Sequence, residues 1–207
     1  MKKIVFFFLI IFNCSAFAQN TQLSQNEIVS LYQKIEKATN AHQSFSCNFT
    51  QTKHNSILTQ DAKLRGEIHL QQPDNIAIIG TFPLQYSIII KNNTMTMTKN
   101  GKSETIDLDM KKRAEKIKNI IEGTTKGDFT EVEKIFHISC EKSNIQYILT
   151  LKAKSKNLAH YIDEIKIYFN TNDYSIDKLI ISKNENDYIE YLLTNKNFNI
   201  DNTHIFN

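Results

Sequence analysis

The chain has 207 residues, of which 41% are hydrophobic, with 5 glycines, 2 prolines and a formal net charge of +3. This length suits one domain with a sizeable core, and the apolar content excludes a disordered or collagen-like chain. The few glycines form neither a GxxxxGK[ST] phosphate loop nor a GxGxxG dinucleotide loop, so nucleotide chemistry based on either loop is excluded.

Residues 1–18 are predicted to be a secretory signal peptide. Met1-Lys2-Lys3 gives a basic start, the apolar run Ile4 to Phe12 follows, and Ala16-Phe17-Ala18 is a small-x-small cleavage site. The apolar run is too short for a membrane-spanning helix, which needs about 20 residues. We therefore expect an exported chain in which residues 19–207 form a single domain.

The sequence contains no pattern typical of catalysis or of metal binding. The 6 histidines are scattered, without HxH or HExxH spacing, and neither a GxSxG motif nor a paired-carboxylate motif is present. Lys111-Lys112-Arg113 is the tightest basic cluster, and we interpret it as the solvated face of a helix. We therefore predict a protein that is not an enzyme, uses no cofactor or metal, and binds no nucleic acid.

Two cysteines, Cys47 and Cys140, follow the predicted signal peptide, and both occupy apolar positions of alternating segments. An exported protein can oxidise such a pair to a disulfide, whereas two buried free thiols are an equally ordinary arrangement. Neither cysteine has a CxxC partner or a nearby histidine, so no redox or nucleophilic role is predicted. The sequence leaves the disulfide and the two free thiols open as alternatives.

The first predicted element is an amphipathic helix. Ser24-Gln25-Asn26-Glu27 forms a capping box, with serine at the N-cap and glutamate three positions later. Ile28, Leu31 and Ile35 then recur on one stripe, and the pattern ends near Asn40. The helix is therefore expected to bury one face against the rest of the domain.

From residue 44 onward the apolar period changes to two, which predicts about ten or eleven antiparallel strands. Asn92-Asn93 and Asn100-Gly101 are predicted to be tight turns, because these residues tolerate positive φ. Helices are predicted over 109–122, ending at Gly123, and over 128–136. The predicted strands cover 44–50, 63–70, 76–79, 86–90, 94–98, 104–108, 137–141, 145–152, 161–169, 174–182 and 188–198.

An antiparallel meander with one apolar face needs an apolar cover, and few helices are available to provide it. The predicted face is rich in isoleucine and includes Met95 and Met97, whose flexible side chains adapt to ligands without a fixed shape. A fully packed core would give the same stripes. The residues alone therefore predict an exported, mostly-β domain and do not reach a function.

Several short motifs occur in a recognisable order after the first helix. Phe45-x3-Phe49-Thr50-Gln51 comes first, followed by Gly66-Glu67-Ile68-His69-Leu70-x2-Pro73, and then by Pro83 ahead of another apolar strand. This order resembles the LolA family, the periplasmic carriers of outer-membrane lipoproteins. The resemblance covers nearly all of the chain after the predicted signal peptide.

The resemblance implies an incomplete antiparallel β-barrel closed by a helical lid over an apolar cavity. It also implies a monomeric, non-enzymatic periplasmic carrier, which accepts acylated lipoproteins from an inner-membrane lipoprotein-releasing transporter and delivers them to an outer-membrane acceptor. Family members often have arginine before the strand-turn proline, where it contacts the lid, and this chain has Gln72 there. The cavity residues implied by the resemblance are Phe49, Ile68, Leu70, Ile76, Ile78, Ile88, Ile90, Met95, Met97, Ile117, Ile120 and Ile121.

Other functions stay open at the level of sequence. A periplasmic binding or sensor protein of the same fold could take a free lipid or another amphiphile, because acyl chains look alike to an aliphatic wall. A structural β-protein with a dry core would show the same alternation, but it would take up no apolar ligand. An enzyme would require a catalytic cluster formed by residues distant in the sequence.

Overall fold

The structure is a computed structural model in which residues 20–57, 59–107, 123 and 127–206 are described. The predicted signal peptide and the predicted helix over 109–122 lie outside the described residues. Three of the expected cavity residues, Ile117, Ile120 and Ile121, lie outside them as well.

The described part of the chain contains helices α1 (Gln25–Asn40), α2 (Thr130–Ile135) and α3 (Lys156–Ala159), and a short 3-10 helix (Thr203–Ile205). At the start of α1, the backbone N–H and the hydroxyl of Ser24 donate to the Glu27 carboxylate, 2.8 and 2.7 Å away. Both hydrogen bonds lower the pKa of Glu27, and the one from the Ser24 hydroxyl lowers it most. The predicted start of α1 is therefore confirmed, whereas α3 was not predicted.

The described chain forms a mostly-β fold with a 12-stranded antiparallel sheet in the order β1-β8-β9-β10-β11-β12-β2-β3-β4-β5-β6-β7. The sheet is open, and the predicted incomplete barrel describes it correctly. The strand missing from the prediction is β1, which has only two residues. The strands are β1 (Thr21–Gln22), β2 (Ser44–His54), β3 (Ala62–Gln71), β4 (Asn75–Phe82), β5 (Tyr86–Lys91), β6 (Thr94–Lys99), β7 (Lys102–Asp107), β8 (Phe136–Lys142), β9 (Gln146–Ala153), β10 (Glu164–Asn170), β11 (Ile176–Asn184) and β12 (Asp187–Phe198).

Two hairpin turns follow the sequence signals directly. Asn92 and Asn93 have φ of 49° and 59°, and Asn100 and Gly101 have φ of 52° and 74°. Positive φ at both central residues is typical of a turn that matches the right-handed twist of its strands. These turns fix the registers of β5 with β6 and of β6 with β7.

The main core lies between α1, α2 and strands β8 to β10. Ile28, Leu31 and Ile35 of α1 are buried there, as the stripe predicted. Phe129 and Phe136 at the ends of α2 and Val132 within it are also buried there. In the part of the sheet formed by β3 to β6, Ile76 and Ile90 form a separate small cluster with Leu70 and Met95.

The C-terminal segment after β12 is fixed to the ends of β2 and β3 by polar contacts. The Asn202 side chain is buried, and its amide donates to the carbonyls of Phe45 and Leu70 at 3.0 and 3.1 Å. Its amide oxygen lies 3.2 Å from Nδ1 of His69, and the Ser44 hydroxyl donates to the Ile200 carbonyl. A buried amide that satisfies two strands at once holds these strand ends together.

Among the described helices, none combines the length and the apolar character needed to cross a bilayer.

Truncating the inward face of α1 should destabilise the domain. Leu31→Ala removes a side chain that is 2% exposed, so we expect the free energy of unfolding to fall by about 2 to 5 kcal/mol. Val29→Ala, two positions away on a side chain that is 45% exposed, should change it by less than about 0.5 kcal/mol. Urea unfolding followed by circular dichroism measures both values, and equal losses would contradict this orientation of α1.

Candidate functional site

An apolar cavity of about 390 Å³ lies on the inner face of the sheet, beside the C-terminal end of α1. Strands β10 to β12 form one side of it, and strands β2 to β4 form the other. Residues of α1 complete the boundary at one end. The apolar lining consists of Ala38, Phe45, Ile68, Leu70, Ile76, Ile78, Ile162, Ile165, Tyr174, Ile176, Leu179, Ile181, Tyr191, Leu193 and Phe198.

Strand register explains why these side chains share one face. Phe45 of β2 lies opposite Leu70 of β3, which lies opposite Ile76 of β4. Ile68 and Ile78 form the next matching pair toward the interior of the strands. Directly opposed residues of antiparallel strands point to the same side, so the period-two pattern of each strand produces one continuous apolar surface.

Polar groups collect at one end of the cavity. They come from the C-terminal end of α1, the start of β2, the turn between β3 and β4, and the segment before β11. The His42 ring stacks on Phe198 there, with 4.3 Å between ring centroids. The polar lining residues are Thr39, His42, Gln43, Ser44, Gln72, Asp173 and Ser175.

Gln72 connects the turn between β3 and β4 to α1. Its side-chain amide donates to the carbonyl of His42 at 3.0 Å and, more weakly, to that of Thr39 at 3.4 Å. Its backbone N–H donates to the carbonyl of Gln43 at 2.9 Å. In the described residues Gln72 therefore satisfies carbonyls at and just after the end of α1, while the predicted lid helix lies outside them.

A partly buried ion pair lies near the same end of the cavity. The Lys196 ammonium donates to the Asp177 carboxylate and, at 2.7 Å, to the hydroxyl of Ser175. Lys196 lies within the register shift of β12 between Thr194 and Asn197, and Asn195 has a positive φ of 52°. The irregularity in β12 thus gives this lysine a partner in β11, which joins the two strands beside the cavity.

A wall of aromatic rings, formed by Phe49, Tyr86 and Tyr191, lies beside the cavity, and of the three Tyr191 is among its lining residues. Gly66 and Gly80 lie opposite each other on β3 and β4, and the rings of Phe49 and Tyr86 lie against these glycines. A Cβ at Gly66 would be 2.7 Å from the Phe49 ring, and a Cβ at Gly80 would be 2.2 Å from the Tyr86 ring. Only glycine leaves room for these two rings. The Tyr191 ring lies next to them, with its centroid 5.8 Å from that of the Phe49 ring.

The structure brings together five of the expected site residues, Ile68, Leu70, Gln72, Ile76 and Ile78, at the cavity. Phe49 is buried in the aromatic wall behind the lining. The remaining four described positions are on the same face of the sheet but are not among the lining residues. These are Ile88, Ile90, Met95 and Met97 of β5 and β6.

The opposite side of the cavity was missed at the level of sequence. It comes mostly from β11 and β12, with Ile176, Leu179, Tyr191 and Leu193 among its members. The alternation of these residues in the sequence predicts two strands with an apolar face, but it does not predict that this face lines a cavity. Their position opposite Ile68 and Ile78 depends on the pairing of β12 with β2, which joins distant parts of the chain.

Cys47 and Cys140 are buried free thiols, so the disulfide alternative is wrong for this structure. Cys47 lies on β2 and Cys140 on β8, and four strands separate them in the sheet order. Burial raises the pKa of each thiol to about 12. Thiolate is the reactive form, so both cysteines are expected to be inert in the folded protein.

The acidic, histidine and cysteine side chains of the described residues do not converge on a metal site, because no three of them lie close enough to hold an ion.

A family model described as outer membrane lipoprotein carrier protein LolA matches residues 40–204. The chain belongs to the LolA family. No curated protein gives a significant match. The matched range covers strands β2 to β12 and ends within the 3-10 helix Thr203–Ile205.

Solved structures share this fold at low sequence identity. MucB has a TM-score of 0.55 at 8% identity, over 87% of this chain and 62% of MucB. The MucA/MucB complex of Pseudomonas aeruginosa gives 0.52 at 8% identity, over 86% of this chain and 60% of the matched chain. A LolA superfamily protein of Nitrosomonas europaea gives 0.46 at 12% identity, over 86% and 96%. This chain thus spans about 60% of the MucB chains that it matches.

The buried thiols should make the domain less stable in alkali. Their pKa is about 12 in the folded state against an ordinary value of 9.0, so the unfolded state loses its thiol protons first as the pH rises. Their stabilising contribution is complete below about pH 9 and is lost between about pH 9 and 12, amounting to about 1 kcal/mol per thiol at about pH 10. Urea unfolding at about pH 8 and pH 10 measures this loss.

The matched control is the double variant Cys47→Ala/Cys140→Ala. Its free energy of unfolding should fall less between about pH 8 and pH 10 than that of the unmodified protein, because the contribution of the two thiols is absent. An identical loss in both proteins would contradict the raised pKa values. In the chain from residue 19 onward, which lacks Cys14, a thiol assay should find two reactive groups in denaturant and none before unfolding, whereas no thiol in denaturant would indicate a disulfide.

Proposed function

We propose that this LolA-family protein is a periplasmic carrier that shields the acyl chains of lipoproteins in its cavity. It receives them from an inner-membrane lipoprotein-releasing transporter and hands them to an outer-membrane acceptor. The observation that supports this proposal most directly is the aliphatic cavity of about 390 Å³, in a chain whose family model is described as a lipoprotein carrier. The predicted signal peptide is consistent with a periplasmic location.

The lining suits a hydrocarbon ligand for a simple energetic reason. Each methylene that moves from water into the cavity contributes about 0.8 kcal/mol. The aliphatic side chains of Ile68, Ile78 and Leu179 offer contact to a chain of any conformation, since they provide no hydrogen bonds that would demand a fixed pose. Cargo is therefore recognised by its hydrocarbon content, which suits a carrier of many lipoproteins.

The polar end of the cavity gives the cargo a direction. An acyl chain ends in a polar ester or amide, and this group gains most when it stays near His42, Gln43 and Ser175 rather than among the isoleucines. The hydrocarbon end then points toward Tyr191 and the aromatic wall. The polypeptide part of a lipoprotein would leave the cavity at the polar end, where it can reach solvent.

Release requires a cavity that does not hold its ligand too firmly. Several lining side chains, including Ile68, Leu70 and Ile78, are only partly buried, so the empty cavity exposes apolar surface instead of closing into a packed core. Flexible aliphatic walls bind through area and lose affinity gradually as the ligand withdraws. A second candidate, a binding or sensor protein for a free lipid, shares this chemistry and is separated from the carrier by the identity of the bound cargo.

Introducing a charge into the cavity should abolish acyl binding. Ile76→Glu places a carboxylate in the aliphatic lining, and we expect at least a tenfold loss of affinity for myristoyl lysophosphatidylcholine, because an unpaired charge is costly to bury. Displacement of anilinonaphthalene sulfonate fluorescence measures the affinity. Ile145→Glu, on a side chain that is 70% exposed, is the control and should bind as the unmodified protein does.

Ile78→Trp provides a second test in case Ile76→Glu does not fold, since it fills the cavity with an apolar ring and should also weaken binding. Native mass spectrometry of the protein taken gently from a periplasmic extract identifies the cargo. A triacylated polypeptide supports the carrier, and a free lipid supports the second candidate. Unchanged acyl binding by folded Ile76→Glu and Ile78→Trp variants would contradict the role of this cavity.

A further inference from the structure

Several polar groups at the polar end of the cavity already donate their hydrogens within the protein. The Ser175 hydroxyl donates to the Asp173 carboxylate at 2.7 Å. The side-chain amide of Gln72 donates to two backbone carbonyls at and just after the end of α1. The Ser44 hydroxyl donates to a backbone carbonyl of the C-terminal segment. These three side chains therefore keep little donor capacity for a ligand.

The His42 ring is held in one orientation at the same end of the cavity. It stacks on Phe198 with 4.3 Å between ring centroids and 30° between ring planes. Its Nδ1 lies 3.2 Å from the side-chain amide nitrogen of Asn199. The backbone N–H of His42 donates to the Thr39 carbonyl at 3.1 Å, and its carbonyl accepts from the Gln72 amide at 3.0 Å. A ring fixed in this way loses little further freedom when a ligand binds.

The hydrogen bonds of Asn199 determine which nitrogen of the ring carries the hydrogen. The side-chain oxygen of Asn199 accepts from the backbone N–H of Gln43 at 2.9 Å, and a backbone N–H can only donate. The amide NH₂ of Asn199 therefore faces His42 and needs an acceptor there. Nδ1 of the neutral ring is this acceptor, so the ring hydrogen lies on Nε2.

The Nε2–H group of His42 is consequently a fixed donor on a residue that lines the cavity. Among the described residues, the ring makes its hydrogen bond through Nδ1, and no partner is found for Nε2. Two other lining side chains, Thr39 and Gln43, also carry donors. A helical threonine can direct its hydroxyl to a carbonyl one turn back, and the exposed Gln43 side chain would lose rotamer freedom on binding. His42 has neither disadvantage.

We propose that Nε2–H of His42 donates a hydrogen bond to the carbonyl of a bound acyl ester or amide, and that this bond favours acylated cargo over apolar ligands without a carbonyl. The inference rests on the proposed function and specifies the polar contact of its ligand. Asn199 is a positioning residue, because it acts through His42. Lipoproteins and free lipids both contain such a carbonyl, and native mass spectrometry of the bound cargo separates these two sources.

The test compares myristoyl lysophosphatidylcholine with its tetradecyl ether counterpart, in which a methylene replaces the carbonyl. The ratio of the two affinities is taken in each protein, so that the difference in hydrophobicity between the ligands cancels. His42→Phe keeps an aromatic ring against Phe198 but has no N–H. It should lower the preference for the ester about fivefold, which corresponds to about 1 kcal/mol for one hydrogen bond. Displacement of anilinonaphthalene sulfonate measures both affinities.

His54→Phe is the matched control. His54 also stacks on an aromatic ring, that of Tyr188 with centroids 5.0 Å apart, but it lies outside the cavity lining found in the described residues. Its ratio should equal that of the unmodified protein, and a fall as large as that of His42→Phe would contradict the inference. His42→Gln restores an N–H donor near the position of Nε2 and should recover part of the lost preference. A ring that acted only by packing would give no such recovery.

Nitrogen NMR of the histidine rings at about pH 8 tests the unmodified protein, in case His42→Phe does not fold. The hydrogen of His42 should be on Nε2, and the ester should shift the Nε2 resonance more than the ether does. A hydrogen on Nδ1, equal shifts with both lipids, or an unchanged affinity ratio in folded His42→Phe would each overturn the inference and leave the proposed function intact. Failure of both lipids to displace the dye would instead contradict the proposed function, and this inference with it.

Discussion

Period-two alternation directs the apolar side chains of many strands to one side of the sheet, and covering that side is the constraint on which the rest of the molecule depends. Part of it is covered in the ordinary way, because α1 and α2 pack on β8 to β10 and bury residues such as Leu31 and Val132. Along β11, β12 and β2 to β4 the same surface borders a cavity. One pattern of residues thus gives a packed core at one side of the sheet and an apolar cavity at the other.

The glycines of β3 and β4 affect the inner face of the sheet beside the cavity. Paired Gly66 and Gly80 remove two side chains from the inner face, and the Phe49 and Tyr86 rings take their places. Each ring thus lies over a glycine of the neighbouring strand, at a position where another residue would place its own side chain. The glycines therefore bring the Phe49 and Tyr86 rings onto the inner face beside the cavity, next to Tyr191 in its lining.

Local signals predicted the local elements well. The capping box at Ser24 predicts the start of α1, and the Asn-Gly turn predicts the hairpin of β6 and β7, because in both cases the stabilising contacts lie within a few residues. Three short elements were missed, among them the 3-10 helix Thr203–Ile205. The strand β1 has only two residues and is defined by its pairing with β8, while α3 has four residues and no amphipathic stripe.

The site was predicted only in part, and the reason is physical. Ile76 and Ile90 have the same alternation and face the same side, yet only Ile76 lines the cavity, since Ile90 packs with Met95 farther along the sheet. Whether an apolar residue meets a neighbour or open space depends on how the sheet curves and on which distant strand faces it. The pairing of β12 with β2, which places Tyr191 and Leu193 on the far side, has no local signature.

The position of the two cysteines constrains how the protein can be made. Cys47 and Cys140 are separated by four strands, and both are inaccessible once the sheet has formed. In the oxidising compartment that the proposed function implies, a chain that joins them before folding would be unable to assemble the observed strand order. Completion of the sheet therefore has to precede oxidation, and a completed sheet then protects the thiols from the same chemistry for the lifetime of the folded protein.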